Sequence, residues 1–374
     1  MGLALHGMAP RDAAPIRALR PDGAGARSVH PSLAERRDPR INADARAASN
    51  EPFDYPPSGD DEDVRCRAEC VLIKPTGVRV FPGTAPRHEQ GRYLRGKTDG
   101  KPVTLAGYLL LPKAAPDVKQ PAVILIHGSG GLGSSTGSNA EWQRELTNAG
   151  FAVFALDNFS GRGIVSTVAD QSQLGRYNAI VDAYRALEVL AKHRNIDATK
   201  IAVMGFSRGG QSSTYANLER FWKSYGSPDL QFAAHINVYS NCGWSLQDDD
   251  KVLRPMPFLH GSADDWALPA SCREYSARLA NTGTNIRFVE YPDAHHAFDA
   301  PAFKTPVKVA AGQKWSDCRV GEEKGELVNK DTGQPFSFSD ACVKKGTTVA
   351  YHEEAAKKSH EDVKNFLKEV FGAK

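Results

Sequence analysis

Lys200-Ile-Ala-Val-Met-Gly-Phe-Ser-Arg-Gly-Gly210 is the stretch from which the rest of the chain can be read. Ile201 to Met204 is a short, partly β-branched apolar run without helical spacing, which predicts a buried strand. Gly205-Phe206-Ser207-Arg208-Gly209 follows in the pattern G-x-S-x-G, and Gln211 to Leu218 can continue as a helix. Strand, sharp turn and helix is the context in which such a serine becomes a nucleophile. The two glycines let the backbone pass closely on either side of a strained Ser207 and lift its Oγ out of the turn. The N–H of Arg208 then stands at a helix N-terminus, where an oxyanion is stabilised. The plainer alternative is a glycine-rich connection with an incidental serine. It loses ground because the chain supplies the partners that a nucleophile needs.

Working outward, apolar runs at 122–126, 151–156, 232–239, 256–259 and 286–291 predict strands. Helical spacing at 141–149, 174–194 and 270–280, and at 363–371 as the last part of a C-terminal helix, fills the intervals. Such alternation predicts an α/β fold: a mostly parallel, doubly wound sheet with helices on both faces. Upstream, 71–73, 78–81 and 103–112 read as an antiparallel edge to that sheet.

A chain of 374 residues can bury one large core or two modest ones, and its net charge of +3 is too mild to suggest a nucleic-acid partner. No run of 18 apolar residues exists, so no membrane span is expected. The first 20 residues lack the apolar centre of a secretory signal, which leaves a cytoplasmic or a periplasmic location open. Residues 1–62 are rich in Ala, Arg, Pro and Asp and hold few large apolar residues. They read as a disordered extension or as sequence added by a misassigned start, ahead of one domain at 63–374. Within that domain, about 300–348 is polar and aperiodic. A structureless loop of this length is uncommon unless it is functional or stapled, so a Cys318–Cys342 bridge is expected there. Cys242 lies after one strand and Cys272 after the acid loop, both near the active face, so a bridge there could brace Asp264, which geometry decides. Cys66-x-x-x-Cys70 has no second pair or histidine cluster at zinc spacing, so no metal is expected.

A serine hydroxyl needs a base, and the base needs an orienting acid. In a doubly wound sheet these groups sit on loops at the carboxyl ends of strands. The strand 256–259 runs into His260-Gly-Ser-Ala-Asp264-Asp265-Trp266, so Asp264 or Asp265 is the candidate acid, with Asp264 preferred. The strand 286–291 runs into Pro292-Asp-Ala-His295-His296-Ala-Phe298, so one of the two histidines is the candidate base. The loop His127-Gly128-Ser129-Gly130-Gly131 offers Ser129 N–H as a second oxyanion donor beside Arg208 N–H. It matches neither G-x-x-x-x-G-K-[ST] nor G-x-G-x-x-G, which argues against a nucleotide cradle. Asp157-Asn-Phe159-Ser-Gly-Arg162-Gly163 follows another strand. Arg162 could pair there with a substrate carboxylate, and Phe159, Trp266 and Trp244 could line a pocket.

Taken in order, His127-Gly-Ser-Gly-Gly131, Asp157-x-Phe-x-x-Arg-Gly163, Gly205-Phe-Ser-Arg-Gly209, Gly261-x-x-Asp-Asp-Trp266 and His296-Ala-Phe298 resemble the dienelactone hydrolase family of α/β-hydrolases. The resemblance covers roughly 103–298 and the C-terminal helix. It singles out His296 over His295, because His296-Ala-Phe298 corresponds to the family's H-G-F-like ending. It implies a Ser207–Asp264–His296 triad that hydrolyses esters or lactones through an acyl-enzyme, with no metal and no organic cofactor. Well-known members carry a cysteine nucleophile; Ser207 in its place points toward a general esterase. A peptidase or thioesterase using the same triad, and a non-catalytic binding protein on this fold, are the alternatives.

Overall fold

A computed structural model describes residues 68–76, 87–97, 103–113, 118–134 and 138–372. The expected extension at 1–62, the expected strand at 78–81, and Cys66 with the Cys70 side chain fall outside what it describes. In chain order the first elements are β1 (Ala68–Thr76), α1 (Arg87–Leu94), β2 (Val103–Leu110), β3 (Gln120–Ile126), α2 (Ser138–Asn148), β4 (Ala152–Asp157), α3 (Asn178–Leu190), β5 (Ile196–Phe206), α4 (Arg208–Ala216) and α5 (Glu219–Tyr225). They are followed by β6 (Ala234–Val238), β7 (Trp244–Ser245), β8 (Met256–Gly261), α6 (Pro269–Leu279), β9 (Ile286–Tyr291), β10 (Val307–Lys314), β11 (Val320–Glu323), β12 (Glu326–Asn329), β13 (Gln334–Pro335), β14 (Lys344–Val349) and α7 (Glu353–Phe371).

Among the described residues, eight strands form the central sheet in the order β1-β2-β4-β3-β5-β6-β8-β9. The β1–β2 and β2–β4 pairs are antiparallel and every later pair is parallel. The central strands are apolar without a break because both faces are covered. Their alternation divides the core in two: Ala122, Ile124 and Ile126 of β3 pack in one cluster, Val123 and Leu125 in the other. The first cluster is covered by α3, the second by Trp142 and Leu146 of α2 with Val363, Phe366 and Leu367 of α7.

From β3 the chain steps to β4 on one side and later to β5 on the other. A crevice opens at such a switch point, outside the carboxyl ends of the strands. The loops after β3, β5, β8 and β9 all reach that end of the sheet.

Two expectations need correction. The helix expected over 174–194 spans only Asn178–Leu190. The carbonyls of Leu174 and Gly175 are instead taken by the guanidinium of Arg208, which holds 174–177 out of helical register. The polar segment at about 300–348 is a stranded insert rather than a structureless loop. Strands β10 and β14 pair antiparallel, and β13-β12-β11-β7 form a small sheet. Its strands are two to eight residues long and largely polar, so no apolar period betrays them. The turn Lys324-Gly325, with both residues at positive φ, closes the β11–β12 hairpin. The expected Cys318–Cys342 bridge is present, and so is Cys242–Cys272, which the sequence left open.

Candidate active site

Ser207 stands between β5 and α4 at φ 51° and ψ −114°, a conformation that L-residues rarely adopt. The surroundings force it. A Cβ on Gly205 would lie 2.0 Å from Gly209 O, and one on Gly209 would lie 2.1 Å from Ile126 O. Only glycine fits on either side of the serine. Ser207 N–H donates to Val238 O at 2.9 Å, and Gln211 N–H donates to Ser207 O at 3.2 Å.

His296 lies past β9, with Nε2 2.9 Å from Ser207 Oγ and Nδ1 2.8 Å from Asp264 Oδ2. Its ring sits between Tyr239 and Trp266, each with its ring centre 5.0 Å away. Asp264 is fully buried, and its Oδ1 accepts from Trp266 N–H at 2.9 Å and Ala267 N–H at 2.8 Å. A second imidazole, His260, brings Nε2 to 3.3 Å from Asp264 Oδ2 while pointing at Ala267 O, 2.6 Å away. Burial alone would raise the Asp264 pKa, but the two histidines outweigh it and hold the carboxyl well below the usual range. Asp265 faces elsewhere: its carboxylate accepts from Thr348 N–H at 2.7 Å and Thr348 Oγ1 at 3.0 Å. His295 makes neither the Ser207 nor the Asp264 contact.

The loop after β3 runs alongside. A Cβ on Gly128 would lie 3.4 Å from Ser207 Cβ, so this backbone passes directly beside the serine. Neither the Ser129 N–H nor the Arg208 N–H has an acceptor among the described residues. Ser129 O accepts from Thr167 N–H at 2.8 Å, and Ser129 Oγ is joined to the Gln171 amide. His127, its pKa lowered by burial, accepts at Nε2 from Asn158 N–H at 3.2 Å.

Arg162 does not reach the cleft. Its side chain is fully buried and forks onto Asp182 of α3 at 2.7 and 2.9 Å, with a third bond to Asn158 O. The expected pairing with a substrate carboxylate is therefore corrected: the guanidinium is spent on holding the 158–162 turn, and through Asn158 it steadies His127. Phe159 is buried edge-on against His127, ring centres 4.4 Å apart, behind the loop rather than in the cleft. Trp244 packs among Tyr177, Tyr215, Trp315 and Phe336 and belongs to the core. Trp266 does line the cleft, and its Nε1 donates to Gln313 O of the insert at 3.1 Å.

The cleft beside Ser207 is a half-open notch of about 340 Å³ of empty space, the open solvent at its mouth included. Its walls include Arg176, Gln211, Ser240 and, from the insert, Gln313, Lys314 and Trp315. Sequence reasoning did not single these out. Gln211 alone carried a readable signal, since it falls one helical turn after Ser207. Among the described residues there is no cluster of three or more metal-binding side chains, and no helix is long and apolar enough to cross a membrane.

Comparison with known proteins agrees with this architecture. Protein usf of Aquifex pyrophilus is 24% identical over 204 residues, covering 52% of this chain and 82% of its own length. A probable dipeptidyl-aminopeptidase B of Uncinocarpus reesii is 35% identical over 263 residues, 60% of this chain but only 28% of that protein. The crystal structure of the dienelactone hydrolase-like promiscuous phosphotriesterase P91, from metagenomic libraries, superposes with a TM-score of 0.52 at 16% identity. That match covers 81% of this chain and 98% of the other, and speaks for the fold. The model of the dienelactone hydrolase family matches residues 105–319, from β2 to just before β11, and the chain belongs to that family of α/β-hydrolases.

Proposed function

We propose that the protein is a serine hydrolase that cleaves carboxylic esters or lactones through an acyl-enzyme. The observation that carries this reading is the unbroken line from Ser207 Oγ through His296 to Asp264, with contacts of 2.9 and 2.8 Å. Ser207 Oγ attacks the acyl carbon while His296 Nε2 takes its proton. The tetrahedral oxyanion faces the N–H groups of Arg208 and Ser129. The C–O bond of the leaving alcohol breaks as His296 returns the proton to it. A water then loses a proton to His296, attacks the acyl carbon, and Ser207 leaves with that proton. Asp264 stays ionised throughout; it fixes which imidazole nitrogen faces the serine and stabilises the imidazolium.

The test is turnover of p-nitrophenyl esters beside peptide p-nitroanilides, with Ser207→Ala as control and a phosphonate probe located by mass. Ester turnover that falls on the order of a million-fold in the variant, with the probe on Ser207, is the expected result. Anilide turnover with the probe on Ser207 and none on esters would make the protein a peptidase. An unlabelled, folded and inactive protein would make it a binding module.

A further inference from the structure

The cleft contains a recess of hydrogen-bond donors that the triad does not use. Arg176 lies just before α3, is only 3% exposed, and lines the cleft with Ser207. Its backbone is pinned on both sides, N–H to Gln90 Oε1 at 3.2 Å and C=O from Ser212 Oγ at 3.2 Å. Its guanidinium rests over the Phe338 ring, 5.4 Å from the centre. Yet Nε and Nη1 are buried and have no hydrogen-bond partner among the described residues. The other two cations of the cleft are committed: Arg208 to the carbonyls of Leu174 and Gly175, Lys314 to Asp265 O at 3.1 Å.

Two neighbours in the same wall add further donors. Ser240 Oγ, just past β6, is also buried without a partner among the described residues, and Gln211, on the nucleophile's own helix, turns its amide to the Tyr215 hydroxyl. Ser240 is packed against that helix, because a Cβ on Gly210 would lie 2.8 Å from Ser240 Cβ. A buried cation and a buried hydroxyl are costly to leave unpaired, and native structures rarely do so. All three can donate, and no Asp or Glu lines the cleft to answer the charge. Beyond the two tryptophans the lining offers only Ala267 as an apolar surface, so an alkyl acyl chain would strip water from polar groups and give nothing back.

We infer that Arg176, Gln211 and Ser240 form a subsite for an ionised acid group, and that the substrate is a hydrophilic, hydroxyl-bearing ester that carries one, of the acylated sugar-acid class. The inference rests on the hydrolase reading above. Arg176 supplies charge-assisted bonds to the acid group, and Gln211 and Ser240 bond its remaining oxygen or an adjacent hydroxyl.

A matched pair tests it: a methyl glucuronoside and a methyl glucoside, each with one acetyl group at the same position, followed by acetate release. The wild-type enzyme should favour the acid by about ten-fold or more in kcat/KM, the range expected of charge-assisted bonds. In Arg176→Gln the ratio should collapse to within about three-fold. Equal rates in the wild type, or an unchanged ratio in Arg176→Gln, would overturn the subsite. Turnover of p-nitrophenyl acetate without either sugar ester would overturn it too, while leaving the hydrolase reading intact. Absence of all ester turnover and of phosphonate labelling would remove both. Should the variant fail to fold, the wild-type enzyme still decides: glucuronate, and not glucose, should compete with p-nitrophenyl acetate, and equal competition by both would count against the subsite.

Discussion

Asp264 and Asp265 are neighbours in sequence, and one peptide bond separates two unrelated tasks. Both oxygens of Asp264 are turned inward, onto two backbone N–H groups and two imidazoles, while Asp265 fastens Thr348 at the end of the insert. Asp264→Asn should therefore cost about 10⁴-fold in turnover by favouring the wrong imidazole tautomer. Asp265→Asn should cost less than ten-fold; similar losses in steady-state rates for the two variants would refute the assignment. Arg162 is a second residue whose surroundings decide its role. Removing one partner of a buried pair leaves the other charge uncompensated, at a cost of about 3–5 kcal/mol. Arg162→Met should show that loss in urea unfolding with the preference between acid-bearing and neutral esters unchanged. A changed preference in a chain of undiminished stability would return Arg162 to the cleft.

At the scale of elements, Asp299 ties three pieces together behind the candidate triad. It accepts from Trp142 Nε1 of α2 at 2.6 Å and from Tyr239 OH, just past β6, at 2.9 Å, and it follows His296 by three residues. Burial pushes its carboxyl up to about 6, although both hydrogen bonds pull the other way. The unfolded chain releases this proton near pH 3.9, so between about pH 4 and 6 the folded state holds a proton that the unfolded state has lost. Stability from this group is thus present at low pH and falls as pH rises, by about 3 kcal/mol over roughly two units. Buried His235 and His360, whose values burial lowers to about 3 and about 4, drive stability the opposite way, so the raw profile mixes signs. The difference between wild type and Asp299→Asn isolates the term. It should shrink by about 3 kcal/mol from pH 4 to pH 7 in urea melts, and a flat difference would refute the shift. None of this was legible beforehand, because Asp299 meets Trp142 across 157 residues. The strands, the strand-turn-helix around Ser207 and the strand-end placement of Asp264 and His296 were legible, since apolar runs and strand-end loops are local patterns. Arg162 misled for the same reason that Asp299 was missed. An arginine at a strand end looks alike whether it faces a cleft or a helix, and Asp182 on α3 decides which.

For the molecule as a whole, the insert links the cleft wall to the family fold. Phe338, under Arg176, also presents its carbonyl to Gln313 Nε2 at 3.0 Å, and Gln313 Oε1 accepts from Gln171 N–H at 2.8 Å. Gln171 in turn bonds Ser129 Oγ, so the insert reaches the loop after β3 through three side chains. The Cys318–Cys342 bridge closes this segment across 24 positions, and Cys242–Cys272 closes another across 30, tying the Ser240–Asn241 wall to α6. On loop entropy alone each bridge should contribute about 3–4 kcal/mol. The two should differ in what their loss does to chemistry. Without Cys318–Cys342, Phe338 is freed and Arg176 loses the surface that aims it. A Cys318→Ser, Cys342→Ser chain should then lose stability by about that amount and lose most of its preference for the acid-bearing ester, with a smaller change for p-nitrophenyl acetate. Thermal melts with and without reductant, run beside the matched sugar esters, measure both effects. A melting temperature indifferent to both reductant and substitution would mean that the bridge is not formed in solution. A lower melting temperature with the preference intact would mean that the insert stabilises the fold without shaping the cleft.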